Sequence, residues 1–108
     1  VHAYLVERYL PGLSEAAVRA ALGRAEAACA EARAAGIEIR YRGSIFLAVE
    51  EACFCRFDSD LAEAVAEVNQ RAQLAFARIS QGIAIEPAAL TITQIGEVST
   101  TCQNDCHR

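Results

Sequence analysis

Two strand patterns follow one another directly between Ile37 and Phe57, and stripes of helical period flank them on both sides. Two strands joined with no helix between them form a hairpin. Each must also find a place beside the strands that the flanking helices lead from or to. Ile37, Ile39 and Tyr41 alternate with Glu38, Arg40 and Arg42 in a half-buried pattern. Gly43-Ser44 interrupts it as a bulge would, and Ile45-Phe46-Leu47 resumes it. Ala48 to Glu51 reads as the turn into a second strand over Ala52–Phe57.

Upstream, His2 to Leu10 also alternates, with Tyr4, Val6 and Leu10 on one side and Leu5, Glu7 and Tyr9 on the other. Pro11-Gly12 stops that strand. Ser14 is placed to cap a helix whose apolar stripe is Val18, Ala21, Leu22, Ala25, Cys29 and Ala32. Arg19, Glu26 and Arg33 fall off the stripe, and Gly36 suits the position just past the helix end. Downstream, Asp60 with Glu63 has the form of a capping box before a second stripe of Leu61, Ala64, Val65, Val68 and Ala72. Leu74, Phe76 and Ile79 read as a packed connection, and Ile83–Glu86 as a short strand ended by Pro87.

The order is β-α-β-β-α-β, the split βαβ or ferredoxin-like pattern. It predicts an α+β sandwich, with an antiparallel sheet and two helices on one face. The expected domain is residues 1–87. An extension over 88–108 adds an extra strand at Thr91–Ile95 and then a polar, cysteine-containing tail.

A chain of 108 residues can build one modest core. Net charge is −4, and the basic residues are ten arginines without lysine. Nucleic-acid binding, which needs a dense basic face, is therefore not expected. No apolar run approaches the roughly 20 residues of a membrane span. No basic n-region followed by an apolar h-region opens the sequence. The expectation is a cytoplasmic protein, where cysteines are more often core, metal or redox groups than disulfides. There is no Gly-rich phosphate loop, no Gly-x-Ser-x-Gly and no His-Glu-x-x-His. The reading leans away from an enzyme, and a small-molecule enzyme on a ferredoxin-like dimer stays as an alternative, because fold alone does not argue function.

The candidate chemistry concentrates in Glu50-Glu51-Ala52-Cys53-Phe54-Cys55. Thiolates favour nickel, copper and zinc over magnesium or calcium. Residues i and i+2 of a strand share a face, but a rise of about 3.3 Å per residue puts the two Cα atoms roughly 6.6 Å apart. Regular geometry therefore separates the sulfurs, and a partner strand or second chain would have to complete a metal site. Cys53 and Cys55 read either as buried structural thiols or as direct ligands. Glu50 and Glu51 repel one another at the turn, which a divalent cation would relieve, although a solvated turn has the same look. Cys29 belongs to the core stripe. A third grouping is Cys102, Cys106 and His107, donors suited to a soft metal. The same tail supports a different reading, a leader-type precursor in which a modifying enzyme dehydrates Ser99, Thr100 or Thr101 and joins them to a cysteine.

At Tyr4-Leu-Val-Glu-Arg8, Pro11-Gly12, Arg40-Tyr41 and the Glu-x-Cys-Phe-Cys segment, the chain resembles the nickel-responsive, nickel-binding ferredoxin-like proteins of actinobacteria. Asn69-Gln-Arg71-Ala72 and Arg78-Ile79 extend the likeness, which spans about residues 3 to 86. The resemblance implies a ferredoxin-like homodimer that binds Ni²⁺ at its surface, with no established catalytic activity. With it, the outward set Arg40, Arg42, Arg56, Glu7, Phe54 and Leu5 becomes a candidate dimer face. Gln73-Leu74-Ala75 departs from the step the family has after its second helix. Residues 87 to 108 lie beyond the likeness, so it says nothing of Cys102, Cys106 or His107.

Overall fold

A computed structural model describes residues 1–88. Its elements are β1 (His2–Tyr9), α1 (Glu15–Ala34), β2 (Ile39–Leu47), β3 (Ala52–Ser59), α2 (Ala62–Arg71) and β4 (Arg78–Gly82). The strands form one antiparallel sheet in the order β2-β3-β1-β4, and both helices cover the same face of it. This is the ferredoxin-like α+β sandwich read from the pattern. The expected strand at Thr91–Ile95 lies outside the described residues.

Helix α1 starts and stops where its sequence says. Ser14 Oγ accepts from Ala17 N at 3.1 Å. At the other end Ile37 N reaches Ala32 O and Gly36 N reaches Arg33 O, both at 3.0 Å, with Gly36 at φ +91°. That is the Schellman closure, and it needs the left-handed conformation that glycine adopts most readily. Helix α2 closes the same way, through Leu74 N to Asn69 O and Gln73 N to Gln70 O. Here the left-handed residue is Gln73, at φ +60°.

Two expectations are corrected. Asp60 does not cap α2. Leu61 is extended at φ −133°, ψ 137° and takes the cap position without a side-chain bond, so the helix begins one residue too late for Asp60 to reach its first amides. The last strand is Arg78–Gly82, not Ile83–Glu86. It pairs with β1 from Glu7↔Arg78 to Ala3↔Gly82, by which point β1 is almost used up, and Ile83 and Ile85 stand exposed. Arg8, to which the sequence reading gave no side, joins Tyr4 and Val6 on the covered face of β1 and is fully buried.

The core sits between sheet and helices. Tyr4, Val6, Ile39, Cys53, Cys55 and Phe57 come from the strands, the alanine stripe and Cys29 from α1, and Val65 and Val68 from α2. Full burial of a valine- or phenylalanine-sized side chain stabilises by about 1.5–3 kcal/mol. The alanines on α1 add little transfer energy each, but they let that helix lie close to the sheet.

Candidate functional site

A bulge in β2 decides what lies beside the cysteines. Tyr41 pairs with Phe57 and Gly43 with Arg56, so Arg42 is the extra residue, and Gly43 takes φ +114°. One added residue breaks the period of two. Tyr41 and Ser44 consequently both turn toward the helices, and their hydroxyls hydrogen-bond to each other. Without the bulge Ser44 would face out.

Ser44 is opposite Cys55, and its Oγ donates to Cys55 Sγ at 2.9 Å. Cys55 Sγ and Cys53 Sγ lie 3.8 Å apart, both fully buried. The side chains lean together, so regular strand spacing does not keep the sulfurs apart as the rise per residue suggests. Burial, then the neighbouring Cys55, pushes the Cys53 thiol up to about 11, partly opposed by Arg8. Cys29 is likewise pushed up to about 11 by burial.

Arg8 pairs across the sheet with Cys53. Its guanidinium donates to Leu74 O at 3.4 Å, to Ala75 O at 3.2 Å and to Asn69 Oδ1, while Asn69 Nδ2 is held by Val65 O at 2.8 Å. Arg8 thus sits at the C-terminal end of α2, where the helix dipole is negative and carbonyls are free. Arg24 Nε adds a bond to Ala72 O at 3.0 Å. No carboxylate bonds to Arg8 among the described residues, and its Nε has no partner. Simple alternation from Tyr4 and Val6 points position 8 inward, and that was the signal available in the sequence.

The turn carboxylates are elsewhere. Glu50 and Glu51 are exposed at the tip of the hairpin, with Glu51 at φ +55°. Glu51 ties the hairpin to the β1–α1 loop: its Oε2 accepts from Gly12 N at 2.7 Å, and its carbonyl accepts from Leu10 N at 2.8 Å. Glu50 makes no such bond. The acids and the thiols are therefore not brought together, since the former are at the tip and the latter beneath the sheet. Cys102, Cys106 and His107 lie outside the described residues. A cleft of about 630 Å³ opens between α1 and β2, with Leu13, Leu22, Glu26, Tyr41, Ser44 and Phe46 among its walls.

The uncovered face of the sheet carries Leu5, Tyr9, Ile45 and Leu47, all more than a third exposed, around half-buried Phe54. Charged pairs border it: Arg78 with Glu7 at 3.0 Å, Arg56 with Asp58 at 3.3 Å, and Arg42 with Asp58 at 3.5 Å.

Residues 4–81 match the family described as nickel responsive protein, SCO4226-like. The chain belongs to that family. Among solved structures it is similar to the crystal structure of SCO4226 from Streptomyces coelicolor A3(2), at 16% identity and a TM-score of 0.62, over 80% of this chain and 99% of that one. At that identity the likeness speaks for the fold. No curated protein matches. For an SCO4226-like chain the donor arrangement is sparse. Among the described residues no three of His, Cys, Asp and Glu gather where one ion could reach them all, and no helix is long and apolar enough to cross a membrane.

Proposed function

We propose that this SCO4226-like chain binds Ni²⁺, or a closely similar divalent ion, at the β2–β3 turn, and that it does so as a homodimer without a catalytic step. The family match over residues 4–81 carries this reading. The turn supports it chemically: two adjacent carboxylates are exposed, and Glu51 is held in place by Gly12 while Glu50 has no bonded partner among the described residues. Two carboxylates from one turn do not fill the coordination shell of a divalent ion. The remaining donors would come from the second copy or from Cys102, Cys106 and His107. The uncovered sheet face supports the dimer, because a two-fold axis brings each apolar patch onto its own copy and sets borders carrying both signs of charge against each other.

Calorimetry with Ni²⁺ on the full chain, beside light scattering for mass, tests the proposal. Wild type should bind as a dimer, more weakly as pH falls and the donors protonate. Glu50→Ala combined with Glu51→Gln, which keeps an acceptor for Gly12 N, should lower affinity by about tenfold or more. Absence of heat in wild type, or equal affinity in the double variant, would sink the reading.

A further inference from the structure

The covered face of the sheet holds a polar line that a surface nickel site does not use: Tyr41, Ser44, Cys55, Cys53 and Arg8. We propose that Cys53 and Cys55 form a buried site for one monovalent thiophilic cation, of the copper(I) or silver(I) kind, with Ser44 Oγ as third neighbour and Arg8 as counter-charge. It stands independently of the turn carboxylates.

Spacing is the first support. An ion about 2.3 Å from each sulfur spans the 3.8 Å gap at an S–M–S angle of roughly 110°, the bent angle of a three-coordinate ion that has Ser44 Oγ as its third neighbour. Charge is the second. Two thiolates and a monovalent ion sum to −1, and the buried Arg8 guanidinium, which has no carboxylate partner among the described residues, brings the site to neutrality. A divalent ion would leave one uncompensated positive charge in the core, which is costly. Arg8 Nε is buried and unpartnered among the described residues, on the residue paired across the sheet with Cys53. The third support is donor number. The site offers two sulfurs and a hydroxyl, and no third Cys, His or carboxylate joins them among the described residues. Zinc takes at least three protein ligands of those kinds, whereas a soft monovalent ion accepts a bent three-coordinate set of two thiolates and one weaker oxygen neighbour.

The path in is the cleft, because Ser44 and Tyr41 line it while Cys55 lies behind Ser44. Loading breaks two S–H bonds and forms two S–metal bonds. The two protons pass through the Ser44 and Tyr41 hydroxyls to water in the cleft, and nothing is oxidised or reduced.

The test uses the full chain carrying Cys102→Ser and Cys106→Ser, so that the tail thiols cannot answer for the buried ones. Anaerobic titration with copper(I) held by a chromogenic chelator should show one ion per chain, and X-ray absorption should find two sulfur neighbours. Cys29 is a single thiol and cannot supply two. Adding Cys53→Ala and Cys55→Ala should weaken binding by roughly 100-fold or more; if that variant does not fold, the sulfur count decides. No retained copper(I), fewer than two sulfurs, or unchanged affinity in a folded Cys53→Ala/Cys55→Ala variant overturns the proposal. Glu50→Ala should leave copper(I) binding untouched, so failure here and failure at the nickel turn are told apart.

Discussion

On β1, Tyr4, Val6 and Arg8 lie under the helices, while Leu5, Glu7 and Tyr9, each one residue along, face away from them. The same four strands therefore present two surfaces with opposite deficits. The covered face contains a full positive charge and four hydroxyl or thiol groups next to one another, yet it meets most of their needs internally through Asn69, two carbonyls and the Ser44 bridge. The uncovered face pairs its charges, Glu7 with Arg78 and Arg56 with Asp58, and leaves its apolar side chains in water. Apart from Arg8 Nε, polar side chains are satisfied inside, and apolar groups are left over outside. Stability is thus vulnerable to the loss of polar groups on one face, and association to the introduction of polar groups on the other.

The sharpest way to break that contrast is Arg8→Met. The methionine fills much of the volume but leaves Asn69 Oδ1 and the carbonyls of Leu74 and Ala75 without their donor. Each buried acceptor left unpaired costs about 1–3 kcal/mol, so a loss of roughly 3 kcal/mol in urea unfolding is expected. A loss under about 0.5 kcal/mol, the range of ordinary surface changes, would mean that Arg8 is not the keystone of the α2 end.

On the other face the expected outcome is the reverse. Phe54→Asp puts a carboxylate in the middle of the exposed apolar patch while touching little of the core. The proposed dimer should weaken by about 2 kcal/mol, the scale of a central interface residue, and light scattering should show monomer at micromolar concentration. The isolated fold should unfold at nearly the same urea concentration as before. A variant that stays dimeric would move the interface elsewhere.

How much of this was readable in the sequence follows the same division. Periodicity gave the order of elements along the chain, the hairpin, the bulge near Gly43 and the caps of α1, because those features are local or repeat along the chain. β4 escaped, since Arg-Ile-Ser-Gln-Gly has a single apolar residue, and it is a strand only because β1 has an open edge for it. The missing cap on α2 escaped because Leu61 is extended, a backbone choice that Asp60 and Glu63 do not dictate. At the site, Glu50 and Glu51 were legible as turn acids. The approach of Cys53 to Cys55 was not, because it depends on side-chain lean, and the burial of Arg8 depends on carbonyls more than sixty residues away.

Two backbone positions, one attached to each part of the covered-face network, offer a smaller and signed test. Gly43 is at φ +114° and makes the bulge that turns Ser44 toward Cys55. An added Cβ meets no atom within 4 Å, so Gly43→Ala is strained by conformation alone. It should cost about 1–3 kcal/mol, at the low end if β2 can relax the bulge. Gln73 is at φ +60° beside the carbonyls that Arg8 holds, and Gln73→Gly removes the left-handed penalty there at the expense of a freer unfolded chain. The balance should be a gain of up to about 1 kcal/mol. Opposite signs in urea unfolding would show that bulge and helix end are both fixed by backbone conformation. A loss at Gln73→Gly would instead mean that the glutamine side chain supports the end of α2, and that Arg8 and Arg24 do not hold it alone.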